Sequence, residues 1–285
     1  MTELTQSQAS IDPTAQIDES ATIGAGVRIG AYVVVGPGCV IGAGCELQHH
    51  ATIVAHTTMG EGNSVHPFAV LGSDPQDKSY RPDKPGELVI GDRNTFREFV
   101  TIGRGNWNGP PTRIGSDCYL MNHAHVGHNA QVGDGVVMVN GATLAGHSSL
   151  GPGCVMSAFT TVHQFARVGR GVMFQAYAGV GMNVPPFVLL ANTNITVGLN
   201  RVGLQRNPDI SEDDQQELKR VYRAMYRDRV ARPIEELCDE LLNESWGWAA
   251  KEFLEFIRTS MQQKPPLRLG IVSGRSRATR GIRPS

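Results

Sequence analysis

The chain carries no charge excess, few aromatics and no long apolar run. Twenty-six basic residues against 27 acidic ones leave a net charge of −1, which removes whole-chain attraction to nucleic acid as the main interaction. There is no stretch of about 18 apolar residues, the length needed to cross a bilayer as a helix. The first ten residues, MTELTQSQAS, lack the basic and apolar regions of a secretory leader. Five cysteines, an odd number with no CxxC pair, point to a reduced, cytoplasmic setting. Aromatics are 6% of the 285 residues, whereas 33 glycines and 16 prolines exceed the average share of about 12%. A chain so rich in glycine, yet 40% apolar, is neither disordered nor a helical bundle. It needs many tight turns.

A period of six supplies the reason. From Ile11, every sixth residue through Leu71 is aliphatic: Ile17, Ile23, Ile29, Val35, Ile41, Leu47, Ile53, Met59 and Val65 lie between. At 40% apolar content, eleven successive hits arise by chance about once in 20,000. The register resumes over Ile90–Ile102 and again from Ile114 to Val180. Two places before the aliphatic stands a small residue, as at Ala15, Cys39, Cys45, Ala51, Cys118 and Cys154. Glycine often follows the aliphatic, and it supplies turn conformations that a β-carbon disfavours. Short strands joined by tight turns fit this period; three hexads close an 18-residue triangular coil, and coils stack by β-pairing. Four of the cysteines sit where a small hydrophobe fills a corner and Cys238 falls on an apolar helix face, so none is assigned chemistry.

This pattern resembles the hexapeptide-repeat acyltransferases, which implies a left-handed parallel β-helix, mainly β, with a small α-helical C-terminal domain. The expected organisation is a β-helix domain over residues 1–206, a helical domain over 207–263, and a flexible basic tail over 264–285, where six Lys/Arg and no Asp/Glu occur. Two interruptions, about 72–89 and 104–113, are too polar and Pro/Gly-rich for coils and read as loops that carry function. Ser211 with Asp214 reads as a capping box, Pro233 as the opening of a second helix, and Trp246 to Met261 as a third.

Five of nine histidines cluster at His123, His125, His128, His147 and His163. Subtracting 18 places Gly146 beside His128, and Gln164 beside Gly146, at about 4.8 Å per coil. A neutral imidazole can take the proton of an attacking hydroxyl, worth about 10²–10⁴-fold. A bare glycine amide one rung away can hold the oxyanion formed from a thioester, worth about 10²–10³-fold.

In chain order, the stretches PQD, IGDRNTFREFVTIGRG, LMNHAHVGHNAQVG, NGATLAGH, TTVHQF and VPPF resemble the UDP-N-acetylglucosamine 3-O-acyltransferase family, the first enzymes of lipid A synthesis. The resemblance implies transfer of a 3-hydroxyacyl chain from acyl carrier protein to UDP-N-acetylglucosamine, no cofactor, no metal, and a homotrimer with sites between subunits. It makes His128 the general base and Gly146 the oxyanion donor. It places Gln76, Asp77, His125, Asn129, His147, His163, Gln164, Asn200 and Arg206 at the substrate, the last two near the nucleotide, and the floor of the acyl pocket near Gln175 and Ala176. Lys219, Arg220, Arg223 and Arg227 read equally as a solvated helix face or as a contact for acidic carrier protein. Where the family has Asp after the base, this chain has Asn129, and exchange to Asp is expected to preserve or raise activity. Ser79, Val202 and Asn207 stand where the family has Lys, Glu and Arg, so a paralogous acceptor, hydroxyl or amine, stays open. A related N-acyltransferase is disfavoured because hexads begin at Ile11. Two other classes compete: a zinc-dependent, carbonic anhydrase-like hydratase using His123, His125, His128 and His147, and a solenoid scaffold without catalysis.

Overall fold

The computed structural model describes residues 9–228, 232–264 and 269–274. Among these, strands of two to five residues form three sheets of twelve, nine and eight strands. Each prism strand pairs in parallel with the strand one coil away, as Ile29 does with Leu47 and His125 with Thr143. The walls wind into a left-handed parallel β-helix. Parallel pairing buries the period-six aliphatics in one continuous column: Leu47, Ile53, Leu71, Phe96, Leu120, Met138 and Phe174 are all at most 1% exposed. Each contributes about 1.5–3 kcal/mol of transfer free energy. The four corner cysteines are likewise buried. At the first coil the inward Ile11 is 46% exposed, so the register outruns the core.

Val70 pairs with Thr101, and Thr101 with His125, so the extra chain in these coils leaves the prism as loops. They span 74–87 and 104–111, slightly shorter than the sequence indicates, because Val70–Ser73, Leu88–Ile90, Thr101–Gly103 and Thr112–Ile114 are strands.

Glycine does not fill every left-handed turn position. Sixteen described non-glycine residues have positive φ, among them Tyr32, His50, Phe68, Phe99, His123, Asn129 and His147. Such backbone costs of order 1–3 kcal/mol per residue. On one edge the cost is offset by stacking: Tyr32, His50, Phe68, Phe99 and His123 lie ring on ring at 5.0–5.3 Å.

Past the coils, Val188–Ala191 and Ile195–Leu199 pair antiparallel. Helix α1 (Arg201–Arg206) follows, then α2 (Glu212–Arg223) with the expected Ser211–Asp214 capping box, α3 (Ile234–Leu242) after Pro233, and α4 (Trp248–Gln262). A π-helical turn, Ala224–Asp228, extends α2; neither it nor α1 has a signal in the periodicity. Leu218, Val221, Cys238, Phe253, Leu254 and Ile257 form the helical core. Arg170 pairs with Glu252 at 3.0 Å, and the Arg167 guanidinium lies 5.0 Å from the Phe256 ring, which ties the prism to α4. The expected basic tail needs correction: Ser273–Gly274 adds a parallel strand beside Ile195–Thr196, and Val272 is buried. Ile271 and Val272, just before that strand, supply the apolar side chains that become buried there. Residues 265–268 and 275–285 of that stretch lie outside the described residues.

Candidate functional site

The prism has three edges, and one of them collects most of the residues chosen from the sequence. His128–Asn129, Gly146–His147 and Gln164–Phe165 occupy the same turn in three successive coils, and both loops leave from this edge. The rungs are bonded directly: His147 N–H donates to the His128 carbonyl at 2.9 Å. Subtraction of 18 thus places His128 and Gly146 correctly.

His128 is 5% exposed, and its imidazole lies against Gly146. A β-carbon on Gly146 would stand 2.6 Å from Nε2 and 2.9 Å from Cε1 of that ring. Among the described residues no acceptor takes the Gly146 N–H. Gly127 keeps it open, since a β-carbon there would sit 2.7 Å from the Gly146 nitrogen. A base and an uncommitted amide donor therefore share one small space, as acyl transfer requires. The hexad explains Gly127 as a turn glycine; its part in the site is visible only once the coils are stacked.

The loops close the other side. Asp77 Oδ2 is 3.7 Å from His128 Nε2, beyond hydrogen-bond length. The Ser79 N–H, donating to Asp77 Oδ1 at 2.8 Å, is the main reason this carboxyl stays below the usual carboxylate range. Buried Arg104 holds the first loop: it donates to the Gly72 carbonyl at 3.0 Å and the Tyr80 hydroxyl at 2.8 Å, and pairs with Asp74. His128 Nδ1 is 2.8 Å from Asn129 Oδ1. The Asn129 amide nitrogen donates to the carbonyls of Pro110 at 2.6 Å and Asn106 at 3.2 Å, and its oxygen accepts the Asn106 N–H at 3.0 Å. These carbonyls revise one expectation. An Asp at 129 would turn a carboxylate oxygen onto them, so Asn is the residue this pocket fits. Arg104 and Asn106 were missed because loop residues fall outside the 18-residue arithmetic.

His147 meets His128 edge to face at 5.1 Å and stacks on Phe165. His125 Nδ1 is 2.8 Å from the Thr101 hydroxyl. Burial first, and neighbouring His128 second, hold both His125 and His147 below the ordinary imidazole range, so they are neutral at pH 7. His163 and Gln164 lie on the next rung, and Gln76 is exposed beside Asp77.

The chain does not bring Asn200 and Arg206 to this edge. Asn200 caps α1 through Oδ1 and donates to the Gly171 carbonyl at 2.9 Å, on a different edge. Arg206 is exposed in the last turn of α1. His123 is separated too: it stacks on Phe99 at the aromatic edge. The four histidines of the hydratase reading thus form no common ligand set within one chain, and no cluster of three His, Cys, Asp or Glu suited to a metal occurs among the described residues.

Three comparisons bear on this geometry. A family model described as Udp N-acetylglucosamine O-acyltransferase, Domain 2, matches residues 183–267, and the bacterial transferase hexapeptide model matches 20–55 and 111–146. An acyl-(acyl-carrier-protein)–UDP-N-acetylglucosamine O-acyltransferase of Anaeromyxobacter sp. is 44% identical over 62% of this chain and 69% of its own length. One from Herminiimonas arsenicoxydans is 40% identical over 72% and 78%. The solved UDP-N-acetylglucosamine acyltransferase of Campylobacter jejuni superposes with a TM-score of 0.84 at 32% identity, covering 93% of this chain and all of that one.

Proposed function

The chain belongs to the UDP-N-acetylglucosamine O-acyltransferase family, and from that premise we propose that it moves an (R)-3-hydroxyacyl group from acyl carrier protein to the 3-hydroxyl of UDP-N-acetylglucosamine, the opening step of lipid A biosynthesis. The observation that carries this reading is the placement of His128 Nε2 against the β-position of Gly146, whose amide has no acceptor among the described residues. The sugar hydroxyl attacks the thioester carbonyl carbon while Nε2 takes its proton. The carbonyl oxygen becomes an oxyanion and accepts the Gly146 N–H. Collapse breaks the C–S bond, and the departing thiolate takes the proton back from Nε2. Asp77 faces the ring as it carries positive charge, and Asn129 accepts Nδ1–H throughout.

The working unit of this reading is a homotrimer. Two observations support it. Tyr32, Phe68, Phe99, Phe159 and Tyr177 are 46–76% exposed along one edge, more contiguous aromatic surface than a monomer ordinarily leaves in water. Asn200 and Arg206 are remote from His128 in their own chain, so a neighbouring copy brings them to the substrate. Lys219, Arg220, Arg223 and Arg227 offer a basic face to an acidic carrier protein. No described helix is long and apolar enough to cross a membrane, in keeping with work on soluble substrates in the cytoplasm.

Incubation with candidate UDP-sugars and acyl carrier proteins of graded chain length, followed by mass spectrometry, tests the reading. O-acylated UDP-N-acetylglucosamine is the expected product. An amide product, or turnover only with another nucleotide sugar, would replace the acceptor and leave the chemistry; no acyl transfer would overturn both.

A further inference from the structure

We propose that Asn106 is a positioning residue for acyl transfer: its main chain reads the amide of Asn129 and thereby keeps the single ring proton of neutral His128 on Nδ1. The inference rests on His128 being the base.

An aspartate beside a catalytic imidazole offers only acceptors, so it fixes the ring tautomer however it rotates. An asparagine does not. Its amide presents an acceptor on one side and a donor on the other, and a half-turn about its terminal bond would swap them. With the donor toward Nδ1, the proton of the neutral ring would move to Nε2, and the base would have no lone pair for the sugar hydroxyl. A chain that uses Asn129 here needs something to forbid the half-turn.

Asn106 meets that need with both of its backbone polar groups. Its N–H points at Asn129 Oδ1 at 3.0 Å, and its carbonyl faces Asn129 Nδ2 at 3.2 Å. Flipping the amide would set N–H against N–H and oxygen against oxygen at these two points, and would also break the 2.6 Å bond to the Pro110 carbonyl. Buried groups left unpaired in this way cost about 1–3 kcal/mol each. The proper orientation leaves Oδ1 toward His128, so Nδ1 donates at 2.8 Å and Nε2 keeps its lone pair on the Gly146 side.

The side chain of Asn106, itself 1% exposed, holds that backbone in place. Its Oδ1 accepts the Trp107 N–H at 2.9 Å, and its Nδ2 donates to the Ser79 hydroxyl at 3.2 Å and to Asp77 Oδ2 at 3.4 Å. Asp77 in turn faces Nε2 at 3.7 Å. His128, Asn129, Asn106 and Asp77 thus close a ring of polar contacts, with Asn106 joining the group behind the imidazole to the group in front of it.

The test combines a spectrum with a mutant cycle on the full chain. With ring-15N histidine, the His128 signals, identified by their loss in His128→Ala, are expected to show a protonated Nδ1 and an unprotonated Nε2 in the neutral ring. Asn106→Ala is expected to lower kcat about tenfold or more and to mix the tautomers. Asn106→Ala with Asn129→Ala together are expected to lose clearly less than the product of the two single losses, because the amide that Asn106 reads is already gone and only its contacts to Asp77 and Ser79 remain to be lost. A wild-type ring protonated on Nε2, an unchanged kcat in Asn106→Ala, or losses that multiply in the double variant would overturn the proposal. If Asn106→Ala does not fold, Asn106→Ser, which keeps a short donor, and the wild-type spectrum decide it. Full turnover in His128→Ala would instead remove the base itself, a failure distinct from these.

Discussion

His128 Nε2 stands 2.6 Å from the point that a β-carbon would occupy on Gly146. An alanine methyl would fall on the imidazole and into the space where the oxyanion forms. Gly146 does not have positive φ, so the backbone accepts alanine. Gly146→Ala is expected to lower kcat by about 10²-fold or more with an unchanged circular-dichroism spectrum. Near-wild-type turnover in steady-state assays would remove the oxyanion role.

Truncating the base separates chemistry from binding. His128→Ala is expected to reduce kcat by at least about 10²-fold while KM for the UDP-sugar changes only a few-fold, because Asp77 and the loops remain. A loss confined to KM would make His128 a binding group.

The exposed aromatic edge predicts assembly. Phe99, 47% exposed between Phe68 and His123 in the ladder, would present a charge to a neighbouring copy when changed to Asp. Sedimentation of Phe99→Asp is expected to show dissociated chains with little activity, against a wild-type trimer. A wild-type monomer with full turnover would sink the shared-site reading.

Acid pH reports on the buried imidazoles. Burial, aided by His128, holds His125 below its ordinary value of 6.5. The unfolded chain binds this proton as pH falls through 6.5 and the folded chain binds it only lower, so stability falls with pH in that window. His125→Asn removes the uptake. Its Tm is expected to decline less than the wild-type Tm between about pH 7 and pH 5; parallel declines would assign the acid sensitivity to other groups.

The coils were legible because a wall two residues wide leaves no choice about what points inward: Leu47, Leu120 and Met138 repeat the same environment. The pairing of His128 with Gly146 followed from that regularity. Asn106 and Arg104 did not, because loop closure is set by contacts and not by period. The left-handed turn positions were misjudged in kind. Glycine is the residue without strain there, yet Phe68, Phe99 and His123 occupy them, since stacking along an edge is a cooperative gain that no single hexad displays. The pairing of Ser273 with Ile195 escaped notice because it joins residues far apart in sequence and only two rungs long. The Asn129 environment shows the same limit: the side chain was read against a family pattern, while its fitness depends on two carbonyls from the second loop.

The winding sets an unusual rule for length changes. Removing eighteen residues from the plain coils lowers everything downstream by one storey and keeps its compass bearing. Removing six turns every later side chain through a third of a revolution, so a six-residue cut between the second loop and His128 would make that ring look out from another side, away from the loops that shelter it. Insertions and deletions in this molecule are therefore rotations or translations, and only the translations leave a working enzyme within reach.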